Sequence, residues 1–356
     1  MNYLLLAPEL FITDGGIARI LRLYLKALCE LSSDADEVRF VALNDNIADS
    51  TDLRRYSNQR LLNWEACSRS KLRFIRAAFR MSKDSDRIVC GHVAQLPVAW
   101  LVSKLRPRVS YYLVAHGIEV WRPFSFLERR ALKGARCIFC VSEFTRQQLL
   151  SRCPLAPGRT EVLHNALDPF LKPVTQVSSG KGSSVVLSIS RLTIADGYKG
   201  IGHLIAAFPA VLASMPEARL RIVGRGDGLR ALQDKATGLG LGRAVEFAGF
   251  RSDSELKGEF ENCRLFALPS EKEGFGLVYL EAMAHGRPCL GARSGGVPEV
   301  ITKETGILVE YGDVPGIASA ILAAFKVEWD TGALLDRVGL FSYSRFKDRL
   351  ASLLKT

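Results

Sequence analysis

Several signals that would assign a chain to a particular class are missing from these 356 residues. No run of 18 or more apolar residues occurs, so we expect no membrane-spanning helix. Eight cysteines are irregularly spaced, which does not favour a disulfide framework in so long a chain. The five histidines show no metal-binding spacing, and we expect no metal site. The first apolar run, residues 3–6, lacks a preceding charged segment, so we interpret it as a strand and expect a cytoplasmic protein.

One cysteine pair, Cys137 and Cys140, matches the C-x-x-C pattern inside an apolar run. Residues three apart on a strand point to opposite faces, so the two thiols could not share a metal. We interpret both as core residues.

The composition that remains is that of a large globular protein with a basic surface. Its length favours two domains, and its 48% apolar content is ample for two cores. The net charge of +11 implies acidic partners. Nucleic acid, an anionic lipid surface and phosphorylated substrates all fit, and charge alone does not choose among them.

Apolar runs alternate with helical patterns along most of the chain. In the first half, strands are predicted at 3–6, 38–43, 87–90, 110–115, 136–141 and 161–164. In the second half, they are predicted at 185–190, 219–223, 244–247, 265–268, 288–291 and 307–309. Predicted helices occupy most of the intervals, so the fold class is α/β, with two doubly wound parallel sheets. We expect domains at 1–168 and 185–330, a linker at 169–184, and a C-terminal helix within 331–356 that braces both.

Polar residues follow several predicted strands of the first half. Gly15 and Gly16 open the first long helix, where they form either a tight turn or a place for close approach of a ligand. His116 follows the strand at 110–115 and is either a structural histidine or a group that binds or deprotonates a substrate. Ser142 and Asn165 follow the next two strands. The carboxyl edge of the sheet is where a ligand would bind.

Residues 68–82 form a basic amphipathic pattern, with Leu72, Ile75 and Phe79 at helical spacing among five basic residues. Such a helix either lies on an anionic membrane surface or packs this apolar stripe on the sheet. Both interpretations remain open from the sequence.

The most informative stretch of the second half is 270–288. A strand ending at Leu268 leads through a glycine-bearing loop into a short helix that Gly286 and Pro288 terminate. Glu273 lies in the loop and Glu281 in the helix, close to unpaired amide groups at the helix start. Such an arrangement suits a polyhydroxylated, phosphorylated ligand.

Two cations, Arg191 and Lys199, follow the first strand of the second half and could both reach a diphosphate. The later segment 224–228 has the pattern G-x-G-x-G, which resembles part of a dinucleotide fingerprint. It lacks the last required spacing and does not follow the first strand of its half, which argues against nicotinamide binding.

These motifs together resemble the retaining glycosyltransferases of the GT-B fold, family 4 (glycosyl transferases group 1). Glu273 and Glu281 match the family's E-x7-E element, and Arg191 with Lys199-Gly200 matches its phosphate site. Tyr198 before Lys199 is similar to a "YKG" subset common in polysaccharide assembly. The segment 295–299 agrees as well, and Gly15-Gly16, His116 and 165–168 agree more loosely.

The resemblance implies two Rossmann-like domains facing a central cleft, with the acceptor on the first and a UDP- or GDP-linked sugar on the second. It implies that Arg191 and Lys199 neutralise the leaving diphosphate, Glu273 contacts the sugar and Glu281 holds the ribose. The remaining residues implied to bind substrate are Gly15, Gly16, Gly274, Phe275, Gly276 and Leu277, and His116 would lie beside the sugar. No cofactor is implied, and the family is usually independent of metal.

The expected function is therefore transfer of a sugar, with retention, to a glycan or lipid-linked glycan in polysaccharide biosynthesis. We expect the enzyme in the cytoplasm, where peripheral contact with an anionic membrane is an open alternative. Two other functions stay open: a basic nucleic-acid-binding protein and an NAD-dependent oxidoreductase. The first lacks a recognised motif and the second lacks the fingerprint.

Overall fold

The computed structural model describes residues 1–13, 15–46, 50–171 and 183–355, without the side chains of 50 and 51. The chain forms two compact units, Met1–Asp168 with Ser342–Thr356 and Pro169–Phe341. Most of the predicted linker, 172–182, lies outside the described residues. Within the described ranges, no helix has both the length and the apolar character needed to cross a membrane.

The first unit is built on a parallel sheet of seven strands with the order β3-β2-β1-β4-β5-β6-β7. The strands are β1 (Tyr3–Ala7), β2 (Val38–Ala42), β3 (Leu61–Ala66), β4 (Arg87–Cys90), β5 (Ser110–Ala115), β6 (Cys137–Cys140) and β7 (Thr160–Val162). β1 pairs with β2 from Tyr3 opposite Val38 to Ala7 opposite Ala42. The strand order reverses between β1 and β4, and such a reversal opens a ligand crevice at the carboxyl ends of the two strands.

Helices cover this sheet on both faces, because right-handed crossovers on the two sides of the reversal leave the sheet in opposite directions. They are α1 (Gly16–Leu31), α2 (Ser50–Arg55), α3 (Lys71–Met81), α4 (Leu96–Leu105), α5 (Phe126–Gly134), α6 (Glu143–Arg152) and α13 (Tyr343–Lys355). Buried residues of α3, α4 and α5 share one core with β1, β4, β5 and β6. Tyr24 of α1 packs edge-on against Phe346 of α13, with ring centroids 5.0 Å apart.

The second unit has a parallel sheet of six strands with the order β10-β9-β8-β11-β12-β13. Its strands are β8 (Val185–Ile189), β9 (Arg219–Val223), β10 (Val245–Gly249), β11 (Leu265–Leu268), β12 (Cys289–Ala292) and β13 (Gly306–Val309). Its helices are α7 (Ile201–Ser214), α8 (Leu229–Gly238), α9 (Asp253–Asn262), α10 (Leu277–Ala284), α11 (Val314–Lys326) and α12 (Thr331–Gly339). The order reverses between β8 and β11, which pair with Leu265 opposite Val186. The two parallel α/β sheets confirm the predicted fold class.

Four details differ from the sequence prediction. β3 and α2 were not predicted; the residues of β3 are mostly exposed or part-exposed and give little periodic signal. The interval between the strands predicted at 288–291 and 307–309, where we expect a helix at 297–302, contains only a single 3-10 turn, Val297–Glu299. The segment 331–356 contains two helices, α12 in the second unit and α13 in the first.

The fourth difference concerns the apolar stripe of α3. The residues that pack in the core are Phe74, Ala77, Ala78 and Met81. Leu72 and Ile75, predicted to lie on the sheet in one of the two interpretations, are exposed. The sheet-facing interpretation of that stripe is therefore wrong for these two residues.

Candidate functional site

The carboxyl ends of β8 and β11 bring two sequence motifs together. β8 leads into a loop and a 3-10 segment that ends at Lys199, while β11 leads into the loop that carries Glu273. Since β8 and β11 are neighbours in the sheet, both loops leave the same edge. The amide of Glu271 donates a 2.8 Å hydrogen bond to the carbonyl oxygen of Tyr198, which joins the two loops directly.

Lys199 and Glu273 form the central contact of this site. The Lys199 Nζ lies 2.6 Å from Glu273 Oε2, and each side chain is 16% exposed. Gly200 holds the two loops at this separation, because it adopts a φ of +76° and a Cβ there would lie 2.1 Å from the Pro269 carbonyl oxygen. A cation and a carboxylate from different motifs are thus held together at a partly accessible strand end.

Arg191 forms a second ion pair beside the first. Its Nη2 donates a 2.9 Å hydrogen bond to Asp196 Oδ1, and most of the arginine side chain is exposed. Asp196 is buried and also accepts hydrogen bonds from Thr193 Oγ1 at 2.7 Å and the Tyr198 hydroxyl at 3.0 Å. Burial acts to raise the pKa of Asp196, but the hydrogen bonds from Thr193 and Tyr198, together with the charges of Arg191 and Lys199, outweigh it and lower that pKa. Burial, with the charge of Asp196, raises the pKa of Tyr198 to about 12.

Asp196 was not among the residues singled out from the sequence. A signal was present, because Thr193 and Asp196 have the S/T-x-x-D/E spacing of a helix cap. In the structure, the Thr193 side chain accepts a hydrogen bond from the Asp196 amide, as that spacing predicts.

The glycines that follow β12 pack against the backbone of the loop that carries Glu273. The Gly296 amide donates a 2.8 Å hydrogen bond to the Glu273 carbonyl oxygen. Gly295 has a φ of +61°, and a Cβ there would lie 2.2 Å from the same oxygen. A Cβ at Gly296 would lie 2.3 Å from the Gly274 carbonyl oxygen. These two glycines therefore position the loop of Glu273.

The start of α10 contains the remaining predicted residues of this unit. Gly276 caps the helix at a φ of +100°, and Leu277 is its first residue. The Phe275 ring is buried against Phe341, with centroids 5.3 Å apart, so its amide rather than its side chain can face a ligand. Glu281 lies in the second turn and is buried, and Gly286 ends the helix in the left-handed region as predicted.

The G-x-G-x-G segment has a structural explanation. A Cβ at Gly224 would lie 1.8 Å from the Ser190 carbonyl oxygen, and one at Gly226 would lie 2.3 Å from the Leu192 backbone. Asp227 accepts a 2.9 Å hydrogen bond from the Ile194 amide. These residues pack the loop after β9 onto the loop after β8, which agrees with the argument against nicotinamide binding.

In the first unit, Gly15 caps α1 and Gly16 is the first residue of that helix. Gly15 has an ordinary φ of −65°, and the nearest atom to a Cβ placed there would be Thr13 Oγ1 at 3.6 Å. Neither its backbone conformation nor the available space requires a glycine at this position. Glycine is itself a favourable N-cap residue, and close approach of a ligand is the other explanation that the sequence left open.

His116 follows β5, as predicted, but one of its ring nitrogens is already used. Its Nε2 lies 2.9 Å from the Gly91 carbonyl oxygen, which can only accept, so Nε2 carries the proton. Burial lowers the pKa of His116 to about 4. The imidazole is therefore neutral at pH 7, with Nδ1 as its remaining acceptor. Ser142, at the end of β6, accepts a hydrogen bond from the Thr145 amide and caps α6.

No group of three or more histidine, cysteine or acidic side chains is arranged to hold a metal ion in the part of the chain that the structure describes. The arrangement in the second unit consists instead of two cations, two carboxylates and the backbone amide groups at a helix start. Such a set can bind a phosphate and a hydroxylated ligand at adjacent positions.

Comparison with known families places both units in one class of proteins. Residues 183–326 match the family model for glycosyl transferases group 1, and residues 15–169 match the model for glycosyltransferase family 4. HepE of Anabaena, solved in complex with UDP and glucose, superposes on 99% of the chain with a TM-score of 0.78. At a sequence identity of 22%, this likeness shows that the two proteins share the GT-B fold and nothing further.

Two curated relatives carry the name GDP-mannose-dependent alpha-(1-6)-phosphatidylinositol monomannoside mannosyltransferase. The protein from Mycolicibacterium smegmatis is 33% identical over 250 residues, a match that spans 64% of each sequence. The protein from Mycobacterium tuberculosis is 32% identical over 267 residues, which cover 69% of this chain and 68% of the relative. The first match thus spans slightly less than two thirds of the relative's length. The chain belongs to the family 4 glycosyltransferases, the glycosyl transferases of group 1.

Proposed function

We propose that this protein transfers a sugar from a UDP- or GDP-linked donor, with retention of configuration, to a glycan or lipid-linked glycan in polysaccharide biosynthesis. The observation that carries this proposal is the Lys199–Glu273 contact of 2.6 Å, with Arg191 and Asp196 beside it, at the reversal point of the second sheet. A diphosphate and a sugar ring attached to it require a cation and a hydrogen-bond acceptor at adjacent positions. Family membership supports the same reaction.

The charges fit the requirements of a glycosyl transfer. As the bond to the diphosphate breaks, negative charge grows on the departing phosphate and positive charge grows on the sugar ring. In our proposal, Lys199 and Arg191 stabilise the first charge, and Glu273 hydrogen-bonds the sugar. The acceptor attacks the face that the diphosphate leaves, and a phosphate oxygen takes the acceptor's proton.

The other predicted residues have supporting roles in this proposal. Glu281 holds the ribose, the amides of Phe275, Gly276 and Leu277 support the sugar and phosphate, and Gly15-Gly16 approaches the phosphates. His116 lies beside the sugar as a neutral acceptor. The reaction needs no metal or other cofactor in this scheme, because the two cations neutralise the diphosphate.

The chemistry of the substrates is supported by what the similar proteins are named for. The mycobacterial relatives are named for GDP-mannose and a phosphatidylinositol mannoside, and the Anabaena structure contains UDP. We therefore propose a nucleoside-diphosphate sugar as donor and favour a lipid-linked acceptor.

A thermal-shift panel of UDP, GDP, ADP and their sugars tests the donor first. One nucleoside diphosphate should raise the melting temperature more than its monophosphate does, because the second phosphate engages the cations. Lys199→Ala should remove that difference, and Lys303→Ala, at an exposed lysine of the same unit, should retain it. Equal stabilisation by every nucleotide, or by none, would contradict the proposed donor class. Retention is tested by the anomeric configuration of the product in NMR.

Peripheral membrane contact is a separate part of the proposal. The exposed side chains of Leu72 and Ile75 on α3 lie among Lys71, Arg73 and Arg76, which are exposed as well. Apolar side chains beside basic ones suit the surface of an anionic bilayer. We place the protein on the cytoplasmic face of such a membrane. It should co-sediment with anionic but not neutral vesicles at low salt, and Leu72→Ser with Ile75→Ser should weaken this; binding unchanged in that variant would refute the surface.

A further inference from the structure

The loop between β1 and α1 is held by two buried charged side chains that the sequence motifs did not identify. Asp45 is 1% exposed and Arg22 is 5% exposed. Asp45 follows β2, the neighbour of β1, and Arg22 lies in the second turn of α1. Both reach residues 10–13, in the loop that leads to Gly15 and Gly16. Buried charges of this kind are rare unless hydrogen bonds compensate them.

Asp45 fixes the amide groups of this loop. Its carboxylate accepts hydrogen bonds from three consecutive backbone amides: Leu10 at 3.1 Å, Phe11 at 3.1 Å and Ile12 at 3.2 Å. Consecutive amides that converge in this way form an anion-binding concavity. Here the anion is a side chain from the adjacent strand, so the loop is tied to the sheet.

Arg22 fixes the carbonyl groups of the same loop. Its Nε donates to the Leu10 carbonyl oxygen, and its Nη2 donates to the Thr13 carbonyl oxygen at 2.7 Å. Its guanidinium carbon lies 5.6 Å from the centre of the Phe11 ring. The fork geometry of arginine allows both carbonyls to be held at once, and a lysine ammonium could not reproduce it.

We propose that Asp45 and Arg22 are positioning residues that hold the Gly15-Gly16 turn in the geometry required for sugar transfer. This inference rests on the proposed function, which places that turn against the phosphates of the donor. Asp45 and Arg22 together bind both amide and carbonyl groups of residues 10–13, so we expect their influence on a substrate to act through this loop. Loss of either residue should let the turn move from its native position, while Arg191 and Lys199 of the second unit stay unaltered.

The test compares Asp45→Asn and Arg22→Lys with Arg39→Lys. Arg39 is also a buried arginine of the first unit, but its side chain pairs with Glu37. At a temperature where all three variants are folded, kcat should fall at least tenfold in the first two. KM for the donor should change less than threefold, and the control should retain kcat. If kcat in Asp45→Asn and Arg22→Lys stays within twofold of the control, the inference is overturned.

A second measurement does not depend on activity. Hydrogen exchange at the amides of residues 10–12 should be slow in the unaltered protein and in Arg39→Lys, and at least tenfold faster in Asp45→Asn. Unchanged exchange would overturn the inference even if activity fell. Accelerated exchange in a protein whose unaltered form transfers no sugar would instead refute the proposed function. If Asp45→Asn does not fold, Arg22→Lys retains a buried cation and provides the same comparison of kcat with KM.

Discussion

The two units present their polar groups in different ways at the carboxyl ends of their strands. In the second unit, Lys199 and Glu273 pair with each other across two loops and remain partly accessible. In the first unit, His116 and Asp45 point to backbone groups of their own unit and are largely satisfied there. In our proposal, the second unit thus offers charged side chains to a ligand, whereas the first offers backbone groups held in a fixed position. Replacing side chains should therefore affect the second unit most, and replacing glycines should reveal the contribution of the first.

The largest expected effect follows from removing the cation at the centre of the second unit. Lys199→Ala should lower kcat by about 10²- to 10³-fold, since a fixed donor at a developing negative charge typically contributes this much. Steady-state kinetics with the donor identified by thermal shift measures it, and Lys303→Ala serves as the control. A loss of less than about fivefold would mean that the charged pair is not the reacting centre.

Gly295→Ala tests whether the backbone under Glu273 is as constrained as the geometry indicates. The new Cβ would meet the Glu273 carbonyl oxygen in a left-handed conformation, so we expect a loss of about 2–4 kcal/mol in unfolding free energy. Transfer should also fall because Glu273 moves. Gly238→Ala, where nothing lies within 4 Å of the new Cβ, is the matched control and should cost nothing. Equal stability of the two variants in urea denaturation would contradict the proposed support.

The pH dependence of the unfolding free energy of the first unit tests whether its histidines are buried in the neutral form. Since burial lowers the pKa of His116 to about 4, the unfolded chain binds a proton that the native state excludes between about pH 6.5 and pH 4. The unfolding free energy should therefore fall as the pH drops through this window, by on the order of 3 kcal/mol from this residue. Burial also lowers the pKa of His92 nearby, which adds to the same trend.

Unfolding of this unit can be followed by tryptophan fluorescence, because three of the four tryptophans, Trp64, Trp100 and Trp121, belong to it. The slope of the unfolding free energy with pH should become shallower in His116→Asn. An unchanged slope in His116→Asn would show that the imidazole is not excluded from protonation.

The smallest structural effect is expected for Gly15→Ala in the first unit. The site has room for a Cβ and an ordinary backbone conformation, so the loss in unfolding free energy should be below about 1 kcal/mol, the difference between glycine and alanine at a helix cap. Transfer should nevertheless fall by about tenfold if the proposed ligand approaches the backbone here. Unaltered kinetics would show that this glycine does not contribute to sugar transfer.

Local patterns were sufficient to predict most of the fold. The alternation of apolar runs and helical segments gave two α/β sheets, since buried parallel strands read as continuous apolar runs. β3 and α2 were not recoverable in this way; the residues of β3 are mostly exposed or part-exposed. The C-terminal segment was predicted as one helix, and no local signal indicates that α12 and α13 belong to different units.

The sequence by itself determined which residues carry charge at the strand ends: Arg191, Lys199, Glu273 and Glu281 lie in short motifs with recognisable spacing. Only the tertiary structure decided how they are arranged. It paired Lys199 with Glu273, which lies 74 positions further along the chain, and it paired Arg191 with Asp196. It also brought Asp45 and Arg22 to the same loop. Such contacts depend on strand order, and strand order is fixed by packing across the whole sheet rather than by neighbouring residues.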